Sequence, residues 1–365
     1  MCMLFNHIRR GMNADRWFKN LEAKTGPFME RYRDHTHAKV KHPPVKIAIL
    51  DTGIASQGGA DVPNLIRAGM TQKRIKTPWT SPYQDLPPNK DLDGHGTHAA
   101  GLLLQVCPSA EIYVYRVTKG LGESISRDDV TAALKDAIER AVDIVSMSLG
   151  WDDDNHDGLN KVLLEARAKN VLVCAASSNF GITRGRMAYP ARADSVIAID
   201  ASDYYGNPSK FNPPPGGRDR FTTLGEEVKS AFPKRLPNAE SGGWKRMSGT
   251  SCATPIAAAI SALILEFARQ PPLCLYPEIE RRLKQTEGMR QALIATSKQK
   301  DHHSNFYHLC PEQYLCGSDN HPDGGSYTSS MSHRVAFAGD ITKCLRIQFD
   351  NNLATRAEKT DENWQ

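Results

Sequence analysis

No apolar run in this 365-residue chain has the length of a membrane span: the longest, 253–267, is interrupted by Ser261 and falls short of the roughly 18 to 20 residues a span needs. A buried helix is expected there. The opening MCMLFNHIRRGMN has few apolar residues before Arg9 and Arg10 and lacks the apolar core, about 7 to 15 residues long, of a secretory leader. An intracellular, cytoplasmic protein is therefore expected. Its eight cysteines are expected to stay reduced, since no secretory context argues for bridges. Internal repeats are also lacking. Charge of one sign is in excess only locally: residues 1–46 hold ten Lys/Arg against four Asp/Glu, leaving 36 against 37 in the remainder. Because Asp15, Glu22, Glu30 and Asp34 are scattered among those cations, a solvated or intramolecular role is expected for the arm. Neither a nucleic-acid nor a membrane partner is predicted.

What is present is the composition of a soluble globular protein, 40% hydrophobic and 24% charged with 27 Gly and 22 Pro. The length suits one large core plus extra segments. From Val45 onward short β-branched runs alternate with helical periodicity. This predicts an α/β fold, a doubly wound, mostly parallel sheet with helices on both faces. Strands are expected at 45–50, 111–117, 143–149, 171–176 and 195–201, and helices at 96–105, 128–142 and 159–169. The stretch 208–238, rich in Pro and Gly, reads as loop, and a long helix begins near Thr250. Three parts follow: a basic N-terminal arm (1–44), a catalytic core (45–270) and a helical, turn-rich C-terminal appendix (271–365) with a frayed tail.

Such sheets place chemistry beyond the carboxyl ends of their strands. KIAILDTGI puts Asp51 at the end of an apolar strand, and DGHGTHAAGLL puts His95 at a glycine-flanked helix entrance. SGTSCATPIAAAISALIL puts Ser251 just inside a long helix, where free N–H groups and the positive dipole end favour developing negative charge. A serine hydroxyl is a weak nucleophile, so acyl transfer needs a base, a carboxylate to hold that base, and donors for the oxyanion.

The motifs D-T-G, H-G-T-H-x-x-G and G-T-S-x-A-x-P, in that order, resemble the three signatures of subtilisin-like serine peptidases, intracellular fungal-type members among them. The resemblance covers about residues 45–270. It implies proteolysis of protein or peptide substrates by a serine endopeptidase whose catalytic triad is Asp51, His95 and Ser251, working through an acyl-enzyme. It also implies that Ser148, Leu149 and Gly150 pair with an extended substrate backbone. In place of the family's A-A-G-N the chain reads A-A-S-S-N, which assigns the oxyanion amide to Asn179 and puts Ser178 where the family has Gly. A peptide ligase or transpeptidase on the same site, or a non-hydrolysing regulatory module, are the alternative readings.

Other chemistry-bearing residues point elsewhere. His98 reads as structural. Asp152, Asp153, Asp154 and Asp157 lack the spacing of a calcium loop and read as a solvated loop that could favour basic substrate residues if it lined a pocket. His302, His303, His308, Cys310 and Cys316 are metal-ligand types, but C-x₅-C is not zinc spacing. No cofactor is implied, calcium being the one possible addition. Cys252 reads as a packing residue.

Overall fold

The computed structural model describes residues 2–30, 42–56, 61–77, 89–120, 122–299, 305–315 and 327–347. In chain order the elements are α1 (Cys2–Glu30), β1 (Lys46–Asp51), α2 (Asn64–Thr71), β2 (Ile75–Lys76), α3 (His95–Val106), β3 (Glu111–Arg116), α4 (Arg127–Glu139), β4 (Ile144–Met147), α5 (Asp157–Ala168) and β5 (Leu172–Ala176). There follow β6 (Ile197–Ser202), β7 (Arg220–Leu224), β8 (Val228–Ala231), β9 (Trp244–Met247), α6 (Thr250–Ala268), α7 (Pro277–Leu283), α8 (Thr286–Ala295), β10 (Ser297–Gln299), β11 (Phe306–Leu309), α9 (Pro311–Tyr314) and α10 (Tyr327–Cys344).

Successive strand residues point to opposite faces, and both faces of this sheet are covered. Ile47 and Ile49 of β1, with Leu172 and Cys174 of β5, enter a core shared with α3 and α6. Ala48, Leu50, Val173 and Ala175 enter a second core under α4 and α5. Burial on both faces explains why these strands read as apolar runs without polar alternation. The sheet has nine strands in the order β10-β11-β7-β6-β5-β4-β1-β3-β2. All neighbours are parallel except β10 and β11. Helix α6 is the long apolar helix expected from sequence, and every residue after Ser251 is buried in the protein.

Three segments differ from expectation. The stretch read as loop contains β7 and β8. Strand β7 (RFTTL) escapes a hydrophobic-run criterion because its buried residues include Arg220, which pairs with buried Asp200 on β6 at 2.5 Å and also donates to the carbonyls of Pro213 and Pro214. The expected basic arm holds α1, whose Ala14, Trp17, Leu21 and Phe28 fall at helical spacing and are buried in the α3–α6 core. The stretch 271–365, expected as an appendix, supplies β10 and β11 to the sheet and carries helices α7 to α10.

Arg334 on α10 ties these outer parts together. Fully buried, it donates to Phe28 O (2.6 Å), Pro271 O (2.9 Å) and Gln270 Oε1 (2.8 Å) and stacks over the rings of Phe28 and Phe267, both at 4.8 Å. Arg334→Ala strands three buried acceptors, each worth about 1 to 3 kcal/mol, so about 3 kcal/mol or more of stability should be lost. Urea denaturation of the two proteins measures this, and equal midpoints would refute the latch.

Candidate active site

Asp51 is the last residue of β1, and its carboxylate accepts the Thr52 N–H at 2.7 Å. Both carboxylate oxygens lie against His95 Nδ1, at 2.8 and 2.9 Å, and both side chains are buried. A carboxylate can only accept, so Nδ1 carries the hydrogen and Nε2 is left with its lone pair or the second proton. His95 opens α3 behind Gly94, which adopts φ 93°. A side chain on Gly96 would put its Cβ 2.1 Å from Gly53 O. The glycines of D-T-G and H-G-T-H therefore serve one purpose, letting the helix entrance touch the turn after β1.

A residue the sequence reading passed over holds that contact. The buried carboxylate of Asp91 accepts Thr52 Oγ1 (2.9 Å), Gly94 N (2.8 Å), Asp93 N (3.1 Å), Thr97 N (2.9 Å) and Thr97 Oγ1 (2.7 Å). Thr52 Oγ1 in turn accepts Gly96 N at 2.9 Å. Burial pushes the Asp91 carboxyl above the usual range, with the hydrogen bonds opposing. The signal was present in the sequence as Asp91 four residues before His95, across a glycine turn.

Ser251 is the second residue of α6. Of the first-turn donors, Thr250 N bonds to Asn179 Oδ1 at 2.7 Å, while Cys252 N and Ala253 N bond to Gly249 O at 3.0 and 3.3 Å. Among the described residues the Ser251 N–H meets no acceptor. Asn179 Oδ1 also accepts Thr250 Oγ1 at 3.0 Å, which turns its Nδ2 toward the serine. A Cβ on Gly249 would lie 2.9 Å from Asn179 Nδ2 and 3.0 Å from Ser251 Oγ. The amide and the hydroxyl thus border one small opening that only glycine leaves clear. Ser178 has φ 150°, a backbone glycine favours, and its hydroxyl accepts Phe180 N at 3.2 Å. Ser177, one residue earlier, donates to the buried carboxylate of Asp200, pinning the end of β5.

Ser148, Leu149 and Gly150 follow β4 and pair with no strand among the described residues. Leu50 of β1 is in register with Met147 of β4, so Asp51 and Ser148 are next neighbours at the carboxyl edge. Ser148 Oγ donates to Ser251 O at 2.9 Å, which brings the start of α6 to the same edge. Gly150 is packed so closely that a Cβ would stand 2.8 Å from Tyr189 O.

The remaining candidates lie apart from this cluster. His98 is buried, with Nε2 3.1 Å from both Val228 O and Lys245 O. Asp153 pairs with Arg127 at 2.8 Å and Asp154 with Arg192 at 3.4 Å, so these acids are already matched by cations. Asp157 sits in the first turn of α5. His308 on β11 lies near Thr222 Oγ1 (3.3 Å) and Ser202 Oγ (3.5 Å), and Cys310 precedes α9. His302, His303 and Cys316 fall outside the described residues. Among the described residues no group of three or more His, Cys, Asp or Glu could hold a metal ion. Cys252 is buried, and burial pushes its thiol up to about 12, which leaves little thiolate to react.

Burial disfavours the cationic form of His95, but the facing Asp51 carboxylate outweighs it and raises the imidazole above the ordinary 6.5. The fold thus binds the proton more tightly than the unfolded chain does. This pair's contribution to stability is complete below the unfolded value and is lost as pH climbs through the raised folded one. In an NMR pH titration His95 should protonate above 6.5 and fall below it in Asp51→Asn, while His98, held down to about 3 by burial and the His95 charge, should stay neutral throughout. A His95 midpoint indifferent to Asp51→Asn would overturn this account.

Comparison with known proteins agrees with the architecture. The subtilase family model matches residues 43–308. The chain is 32% identical over 230 residues to the M-protease of Shouchella clausii, covering 60% of this chain and 53% of that protein. It is 32% identical over 236 residues to the intracellular serine protease of Paenibacillus polymyxa, covering 61% and 67%. The match thus spans about half the length of the first of these relatives. Among solved structures, a lanthipeptide protease superposes with a TM-score of 0.59 at 20% identity over 74% of this chain and 88% of the other. That likeness is one of fold. With the family model matching well over half of its length, the chain belongs to the subtilase family.

Proposed function

We propose that the protein is a serine endopeptidase that hydrolyses peptide bonds through an acyl-enzyme on Ser251. The observation that carries this reading is the unmatched Ser251 N–H beside the Asn179 amide, whose oxygen is tied down by Thr250. Two donors aimed at one opening next to a hydroxyl are what a tetrahedral oxyanion requires. His95 Nε2 takes the Ser251 proton and later gives it to the leaving amine. Asp51 holds Nδ1–H and stabilises the imidazolium formed in between. The substrate lies extended along Ser148, Leu149 and Gly150, whose backbone is unpaired by other strands, so each added residue gains main-chain hydrogen bonds. Unfolded or loop segments are cut before folded ones.

Ser251→Ala should abolish labelling by a fluorophosphonate probe and reduce kcat by about 10⁶, the scale known for removing a subtilisin nucleophile, with the circular dichroism spectrum unchanged. Labelling that survives would refute the assignment.

Asn179→Ala removes one of two oxyanion donors and should lower kcat by about 10² to 10³, as for the equivalent loss in subtilisin, leaving KM nearly unchanged. Ser178→Ala should cost less than about tenfold, because a hydroxyl bonded to Phe180 N cannot replace the amide. Steady-state kinetics on one peptide decides, and a crippled Ser178→Ala beside a mild Asn179→Ala would move the oxyanion site.

A further inference from the structure

Helix α1 lies outside the residues matched by the family model, and with the loops that follow β6 and β7 it encloses a cavity of about 340 Å³. Arg9, Arg10 and Asn13 of α1 line it, facing Asp203, Tyr205 and Glu226. We propose that this cavity is a substrate subsite that takes a carboxylate on the leaving-group side of the scissile bond. The inference rests on the peptidase reading and extends it to substrate class.

Position argues for the leaving-group side. The acyl half of an extended substrate runs along 148–150, beyond β4, while Asn179 follows β5. Strands β6 and β7 come next in the sheet, on the side away from β4. A chain that passes over Ser251 from 148–150 therefore leaves toward the loops after β6 and β7. The cavity wall reaches Ser251 within a few residues: Gly249 N donates to Gly225 O at 2.9 Å, and a Cβ on Gly225, which precedes Glu226, would stand 3.0 Å from Gly249 O.

The unused donors argue for a carboxylate. Both acids in the wall are already occupied. Asp203 accepts Tyr205 N, Asn207 N and Asn207 Nδ2, each at 2.9 Å. Glu226 accepts Ser209 Oγ at 2.8 Å and pairs with Arg10 at 3.2 Å. Arg9 has no acidic partner among the described residues, and the Asn13 amide makes only a 3.5 Å contact with the Tyr205 hydroxyl. The two cations and two acids of the wall balance in formal charge, but the acids' oxygens are already filled while the Arg9 donors are not, so the cavity offers directed donors to an incoming acceptor, and a guanidinium suits a carboxylate through its paired donors.

The test compares peptides identical up to the scissile bond that carry Glu or Gln at the second or third residue beyond it, each with a free and an amidated C-terminus. Hydrolysis is followed in the full-length protein and in Arg9→Gln and Arg9→Glu. At low salt the Glu peptide should show kcat/KM about fivefold above its Gln counterpart, with the preference shrinking as salt is raised. Arg9→Gln should bring the ratio toward one, and Arg9→Glu should invert it. Reading the ratio within each protein cancels differences in folded fraction. A preference for the free over the amidated terminus that vanishes with Arg9 also supports the subsite, with the chain end as the source of the carboxylate. Ratios of one in both comparisons, or ratios indifferent to Arg9, overturn the subsite alone. Failure to cleave any peptide overturns the peptidase reading and the subsite with it.

Discussion

The carboxylate of Asp91 is the constraint on which the site depends. It is fully buried, no cation bonds to it among the described residues, and it is held by donors from two separate stretches of chain, the turn after β1 and the entrance to α3. Those stretches carry Asp51 and His95. A hydrogen bond between the two at 2.8 Å tolerates little displacement, because its strength falls steeply with distance and angle. The close approach of Gly96 to Gly53 O leaves the turn and the helix no room to slide, and the Asp91 bonds leave them no freedom to separate. Burying such a group is costly unless every lone pair is satisfied, so loosening any one donor weakens the whole arrangement.

On the other side of the site the same logic appears with different groups. Asn179 and Ser251 belong to segments far apart in sequence, joined by the Thr250 bonds to Asn179 Oδ1, and the Asp200–Arg220 pair with Ser177 anchors the end of β5 from below. The polar network beneath the sheet edge thus orients groups that the proposed oxyanion role requires to stay partly unsatisfied. An unmatched N–H at the start of a helix persists at little cost where water reaches it, and it is ready for an anion.

Much of this was legible in the sequence. Apolar runs gave β1, β3, β4 and β5 within a residue or two because strands buried on both faces carry a strong, uninterrupted signal. Asp51, His95 and Ser251 were legible because glycines at fixed offsets record close backbone approaches. Asn179 was assigned by counting, across a position where Ser178 tolerates a glycine-like φ of 150°. What stayed hidden depends on partners remote in sequence. Strand β7 is recognisable only once Arg220 has Asp200 to neutralise it, and α1 conceals a stripe of buried residues beneath an excess of surface cations. Asp91 looks like one acid among several until Thr52 and Thr97 are seen around it.

The latch through Arg334 bears on the order of assembly. Its bond to Phe28 O closes a span of 306 residues, so α1 meets this partner only after α10, far along the chain, has been made. Contacts of such sequence separation are slow to form. Until they form, Phe28 lacks the Arg334 guanidinium and the Phe337 ring that pack against it. Synthesis therefore passes through a stage in which the central sheet can be complete while the Phe28 end of α1 is still unsealed, an interval that leaves apolar surface of the nascent chain open to aggregation.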